Sequence, residues 1–124
     1  MDKQKILVVD DHRTVGMLME AVLKLRGFHV LYAGSGAAGL ELAQKEMPVL
    51  IFLDIMMPGM DGFKVCELLK QDPATKSIPV VFLSARGEAV AIDRGKEVGG
   101  EGFVKKPFKT LEILGVLNRF VAGK

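Results

Sequence analysis

Three aspartates, a serine and a lysine stand where short apolar runs give way to polar chain. Ile6-Leu7-Val8-Val9 leads into Asp10-Asp11, Val49 to Leu53 into Asp54, Val80 to Leu83 into Ser84, and Phe103-Val104 into Lys105-Lys106-Pro107. Carboxylates gathered at one place repel, by about 4 kcal/mol for two charges 4 Å apart at an effective dielectric near 20, and a divalent cation removes the conflict. Oxygen ligands without histidine or thiolate favour Mg²⁺, with Mn²⁺ possible, over zinc. A lysine charge and a hydroxyl donor suit the oxygens of a phosphoryl group. The combined chemistry is phosphoryl transfer, driven by positioning and charge neutralisation. No Walker-type glycine loop or dinucleotide fingerprint accompanies these residues, so the phosphoryl group is expected to arrive on something other than a bound nucleotide. An aspartate could itself accept it as an acyl phosphate.

Such chemistry needs the four run ends on one edge. Nearly continuous apolar runs read as strands buried on both faces, and helical patterns lie between them, which predicts an α/β fold with a parallel sheet. Five strands and five helices alternate without a linker or low-complexity tract. Parallel strands place all carboxyl ends on one side, where open α/β sheets bind ligands.

The first helix is expected to carry Val15, Leu18, Met19, Val22 and Leu25 and to end at Gly27. Phe28 to Ala33 reads as the second strand, and Ser35 as the cap of a helix carrying Leu40, Leu42, Ala43 and Met47 up to Pro48. A third helix is expected from Asp61 to Gln71, stopped by Asp72-Pro73. The fourth, Glu88 to Val98, contains Gly95 and borders Gly87, Gly99, Gly100 and Gly102. An interior glycine costs about 0.8–1 kcal/mol relative to alanine, so this helix is expected to be short or mobile, with the three later glycines making turns. The last helix starts after Pro107 with Ile113, Val116, Leu117 and Phe120 on one face. Leu111, Leu114 and Val121 fall off that face and read either as partner surface or as peripheral core.

A length of 124 residues with 49% hydrophobic content fits one domain spanning 1–124. Seventeen Lys and Arg against fifteen Asp and Glu leave a net charge of +2, which argues against direct nucleic-acid binding by bulk charge. No apolar stretch approaches the ~18 residues of a membrane span, and the start lacks the pattern of a signal peptide. The single cysteine, Cys66, excludes an intrachain disulfide, points to a cytoplasmic location and reads as a small core residue. His12 is expected to face outward or cap the following helix, and His29 to lie within a strand.

The segment Asp54-Ile55-Met56-Met57-Pro58-Gly59-Met60-Asp61-Gly62, with Asp10-Asp11 before it and Ser84-Ala85 and Lys106-Pro107-Phe108 after it, resembles the receiver domain of two-component response regulators. The resemblance covers the whole chain and is similar to the single-domain chemotaxis regulator. It implies a flavodoxin-like, doubly wound fold with strand order 2-1-3-4-5. It also implies Asp54 as phosphoacceptor, Asp11 as direct metal ligand, Asp10 as ligand through water, and the Met56 backbone carbonyl in the metal shell. Ser84 and Lys106 match the phosphate-sensing positions, with a cis Lys106–Pro107 peptide.

By the same resemblance, Ser84 and Phe103 form the switch; a permanently buried Phe103 is the competing reading. Met56 and Arg86 occupy positions that tune phosphoryl lifetime, and slow autodephosphorylation is expected. The implied function is a signalling switch that takes a phosphoryl group from a histidine kinase or phosphotransfer protein. It would relay the change to a protein partner through the fourth helix, fifth strand and fifth helix, as a monomer or a phosphorylation-dependent dimer. Arg94, Lys96, Lys105, Lys109 and Arg119 fall on that face, mildly basic and suited to an acidic partner. With the chain ending at Lys124, a stand-alone receiver and a piece of a longer regulator remain open. An aspartate-nucleophile phosphohydrolase is the second class, disfavoured because such enzymes usually carry an acid two residues after the nucleophile, where Met56 stands. A flavin-binding or unphosphorylated scaffold on the same fold is the third.

Overall fold

The computed structural model describes residues 3–85 and 89–121. Five strands alternate with five helices: β1 (Lys5–Val9), α1 (Arg13–Leu25), β2 (His29–Ala33), α2 (Gly36–Glu46), β3 (Leu50–Asp54), α3 (Gly62–Gln71), β4 (Val80–Ser84), α4 (Ala89–Glu97), β5 (Gly102–Lys105) and α5 (Thr110–Phe120). All strand pairs are parallel, in the order β2-β1-β3-β4-β5. The apolar runs explain this order. β3 and β4 are buried at every position and β1 at all but its first, so these three occupy the centre, while the more polar β2 and β5 form the edges.

Alternate strand residues feed two cores. Ile6, Val8, Leu50, Phe52, Val81 and Leu83 face α1 and α5, where they meet Met19, Leu23, Ile113 and Leu117. Leu7, Val9, Ile51, Leu53, Val80 and Phe82 face the other side, with Ala43, Val65, Cys66 and Leu69 of α2 and α3. Among the described residues no helix is long and apolar enough to cross a membrane.

Several local expectations are corrected. In α1 the buried stripe is Gly16, Met19 and Leu23, whereas Leu18 and Leu25 are exposed, because the helix turns a face shifted by one position toward the sheet. Phe28 is core rather than strand: its amide donates to the Leu23 carbonyl and finishes α1, so β2 begins at His29. Asp61 lies outside α3 as its cap, accepting from the Lys64 amide at 2.9 Å. Ser35 caps α2 as expected, and Met47 follows that helix in a left-handed conformation. Val121 is buried against the α1–α5 core, while Leu111 is exposed.

The glycines around α4 also act differently from expectation. A Cβ at Gly95 would come 3.0 Å from the Phe82 ring and one at Gly100 only 2.3 Å, so both let the chain lie flush on that buried ring. Gly102 is the first residue of β5, whereas Gly99, with φ +98°, makes the turn after α4 as expected, and the Gly100 amide closes it by donating to the Gly95 carbonyl at 2.8 Å. The expected helix start at Glu88, with Gly87 before it, lies outside the described residues.

Candidate functional site

Backbone hydrogen bonds carry the sheet past its strands and deliver the polar residues to one edge. The Asp10 amide donates to the Ala33 carbonyl (3.0 Å), the Ile55 amide to Leu83 (3.1 Å) and the Lys106 amide to Ser84 (2.7 Å). Asp54 pairs in register with Leu83, and Ser84 with Lys105. Asp10, Asp54 and Ser84 are thereby almost fully buried, at 0, 3 and 2% exposure.

The β3–α3 loop returns onto the acceptor strand through Gly62. Its amide donates to the Ile55 carbonyl at 2.8 Å, and a Cβ there would stand 2.2 Å from the Asp54 carbonyl oxygen. Only glycine permits this approach. Gly59, with φ +80°, makes the preceding bend. The Lys106–Pro107 peptide is cis.

Lys106 Nζ lies 2.6 Å from Asp10 Oδ2 and 3.2 Å from Asp54 Oδ1. Asp10 Oδ1 accepts from the His12 amide at 2.8 Å, so both oxygens of Asp10 are engaged. The His12 ring is exposed with Nδ1 3.3 Å from carboxylate oxygens of both Asp10 and Asp11, and its side chain does not cap α1. Burial first, and then the charge of Asp10, push the Asp54 carboxyl up from 3.8 to about 6, against the pull of Lys106. Burial opposes the charge on Lys106, but Asp10 and Asp54 together outweigh it and raise its pKa.

Two buried oxygens have no hydrogen-bond partner among the described residues: Asp11 Oδ1 and Asp54 Oδ2. Ligand atoms from Asp10, Asp11, His12 and Asp54 lie within 4.8 Å of one another. Orphaned carboxylate oxygens in a predominantly carboxylate cluster match the needs of a hard divalent cation such as Mg²⁺.

The remaining expected residues are more dispersed. Met56 is 63% exposed and lines a groove of about 320 Å³ with Ser84, Phe63, Val90 and Arg94. Phe103 is half-buried on β5 and lines a different cavity, of about 270 Å³, with Phe82 and Ile92. Ser84 and Phe103 thus lie on adjacent strands, Ser84 paired with Lys105 and Phe103 with Phe82, and line different cavities. Arg86 lies outside the described residues. A cavity of about 390 Å³ between Arg26 and Asn118 contains none of the acids.

Two contributors escaped the sequence reading. Gly62 was visible only as part of a motif, and its steric role appears once β3 and α3 are in place. Tyr32 donates its hydroxyl to the Asp10 backbone carbonyl at 2.5 Å. A polar-tipped aromatic near the carboxyl end of the edge strand was the only signal for it.

The similarities to known proteins agree with this geometry. Residues 6–118 match the response regulator receiver domain. The chain is 37% identical over 120 residues to protein PilG of Pseudomonas aeruginosa, covering 97% of this chain and 89% of that protein. It is 38% identical over 111 residues to the probable transcriptional regulator ycf27 of Porphyra purpurea, covering 90% of this chain and 44% of that one. It therefore spans under half the length of this ycf27 regulator. Among solved structures, a putative response regulator from Chloroflexus aurantiacus superposes with a TM-score of 0.92 at 33% identity, covering 98% of this chain and 99% of that one. Chemotaxis protein CheY4 of Vibrio cholerae does so with a TM-score of 0.91 at 29% identity, covering 96 and 99%. With its parallel sheet in the order 2-1-3-4-5 and its acids and lysine gathered at the carboxyl edge, the chain belongs to the response regulator receiver domain family of two-component signalling.

Proposed function

We propose that the chain is a phosphorylation-dependent switch in which Asp54 accepts a phosphoryl group from a histidine kinase or phosphotransfer protein. The observation that carries this reading is the buried Asp54 Oδ2, which lacks a hydrogen-bond partner among the described residues while Oδ1 faces Lys106. That oxygen attacks phosphorus, the P–N bond to the donor imidazole breaks as the P–O bond forms, and the imidazole leaves with a proton from solvent.

Lys106 turns its ammonium from the carboxylates toward the incoming phosphoryl oxygens, and Ser84 adds a hydroxyl donor. Asp11, Asp54 and the Met56 backbone carbonyl, with Asp10 through water, are the groups that would hold Mg²⁺, or Mn²⁺ in its place. Bound there, the ion neutralises the charge accumulated by the carboxylates and the phosphoryl group. Phosphorylation replaces a carboxylate with a group of about −2 charge and three acceptor oxygens. Ser84 and Lys106 are drawn to it, and Phe103 responds by turning inward. The α4-β5-α5 face then meets a protein partner in the cytoplasm, with the receiver a monomer or a phosphorylation-dependent dimer. Exposed Arg94, Lys96, Lys105, Lys109 and Arg119 give that face its basic character. Return to the resting state is self-catalysed hydrolysis, slowed by the Met56 side chain, which is exposed two residues after Asp54.

Incubation with acetyl phosphate and Mg²⁺, followed by intact-mass analysis, tests the central step. The wild type gains one phosphoryl group and Asp54→Ala gains none. A folded wild type that gains nothing, or an Asp54→Ala variant that still does, overturns Asp54 as a self-phosphorylating acceptor.

A further inference from the structure

Asp10 is held at both backbone polar groups by the edge strand β2. Its amide donates to Ala33 at 3.0 Å, and its carbonyl accepts the Tyr32 hydroxyl at 2.5 Å. The ring that carries this hydroxyl is itself confined. A Cβ at Gly16 would come 2.4 Å from Tyr32 Cδ1, so α1 presses bare backbone against the ring, and the Arg13 guanidinium lies 5.9 Å from the ring centroid. The side chain is a clamped strut from β2 to the turn between β1 and α1.

That turn carries both acids. Asp10 closes it by accepting the His12 amide at 2.8 Å, whereas Asp11 Oδ1 accepts no hydrogen bond among the described residues and has beside it the exposed His12 ring, with Nδ1 at 3.3 Å. That ring belongs to the same turn and is itself exposed, so the direction of the Asp11 carboxylate depends on the backbone of the turn, and the Tyr32 hydroxyl fixes the carbonyl immediately before it. We propose that Tyr32 is a positioning residue for the cation site: by pinning the Asp10 carbonyl it aims the Asp10 and Asp11 carboxylates and sets the affinity for a divalent ion. This rests on the reading of those aspartates as cation ligands. Outer-shell hydrogen bonds of this kind commonly govern metal affinity without touching the metal.

Tyr32→Phe keeps the ring and removes only the hydroxyl. Mn²⁺ affinity, read from the electron paramagnetic resonance signal of the free ion, is compared with Lys70→Met. Lys70, in the last turn of α3, donates to the Ile78 carbonyl just before the amino end of β4 at 2.7 Å and serves as a control for lost stability. Tyr32→Phe is expected to raise the dissociation constant roughly tenfold, while Lys70→Met lowers the melting temperature and leaves Mn²⁺ affinity at the wild-type value. Equal affinities for wild type and Tyr32→Phe overturn the proposal.

Amide hydrogen exchange at His12 is the metal-independent arm. Faster exchange in Tyr32→Phe, beyond the change shared by the whole chain, supports the pinning of the turn; unchanged exchange overturns it. A wild type that binds no Mn²⁺ defeats the cation reading and Tyr32's effect on affinity together. The exchange result then decides separately whether Tyr32 positions the acid turn.

Discussion

Lys106 Nζ sits closer to Asp10 Oδ2, at 2.6 Å, than to Asp54 Oδ1, at 3.2 Å, so one ammonium from the β5–α5 turn joins carboxylates from two central strands. Its side chain is 16% exposed and those of its partners 0 and 4%. The pairing is thus largely removed from solvent screening. It stands where a divalent ion would otherwise have to balance the acids alone.

Lys106→Met leaves those buried carboxylates without their lysine. Removing one partner of such a cluster is expected to cost roughly 3 kcal/mol near neutral pH. The loss should shrink when Mg²⁺ is added, because the ion supplies the missing positive charge. Urea unfolding with and without Mg²⁺ measures both, and a variant as stable as wild type in the absence of Mg²⁺ contradicts the bridge.

Asp54→Asn should act in the opposite direction. The folded carboxyl titrates at about 6, against 3.8 for its ordinary value, because burial and Asp10 disfavour the charge. Between those values the folded chain holds more protons than the unfolded one, so this group's contribution to stability falls as pH rises and levels off above the folded pKa. Asparagine removes the penalty. The variant is expected to exceed wild type by about 1–3 kcal/mol at pH 7.5 without Mg²⁺ and to approach it near pH 4. A pH-independent difference in urea midpoints would contradict this.

Gly62→Ala places a methyl group 2.2 Å from the Asp54 carbonyl oxygen, a backbone atom that cannot swing away. The loop must shift, and with it the backbone on both sides of the acceptor. A stability loss of roughly 2 kcal/mol or more is expected, together with slowed phosphorylation by acetyl phosphate. Mass analysis alongside urea unfolding measures both, and a Gly62→Ala variant that behaves as wild type would show that the loop closes without this contact.

The Cys66 thiol is fully buried, is placed to donate to the Val98 carbonyl at 3.5 Å, and has its pKa pushed up to about 12 by burial. Thiolate is the reactive form. Modification by a thiol reagent at pH 8 should therefore be negligible in the native state and rise with urea in step with unfolding. Rapid modification of the folded chain would place the thiol outside the core.

Gly95 and Gly100 show where local reasoning and packing diverge. In isolation each weakens a helix or makes a turn. Against the sheet each is the residue that lets backbone rest on Phe82. The α1 stripe diverges similarly: periodicity identified a helix, yet it grouped exposed Leu18 and Leu25 with buried Met19 and left out buried Leu23. Helical spacing defines an apolar side, but the neighbours decide which part of that side is covered.

The amino-acid sequence by itself determined the alternation of strands and helices, the parallel sheet and the carboxyl edge at which Asp10, Asp54, Ser84 and Lys106 lie. These follow from continuous apolar runs and from the polar residues ending them, both local features of the chain. Tertiary structure decided which of these residues touch. It set Lys106 between Asp10 and Asp54, left Asp54 Oδ2 without a hydrogen bond among the described residues, brought Tyr32 onto the Asp10 carbonyl and pressed Gly62 against Asp54. Those contacts join residues 22 to 96 positions apart in three cases and depend on backbone approach in the fourth, and no periodicity within one element encodes them.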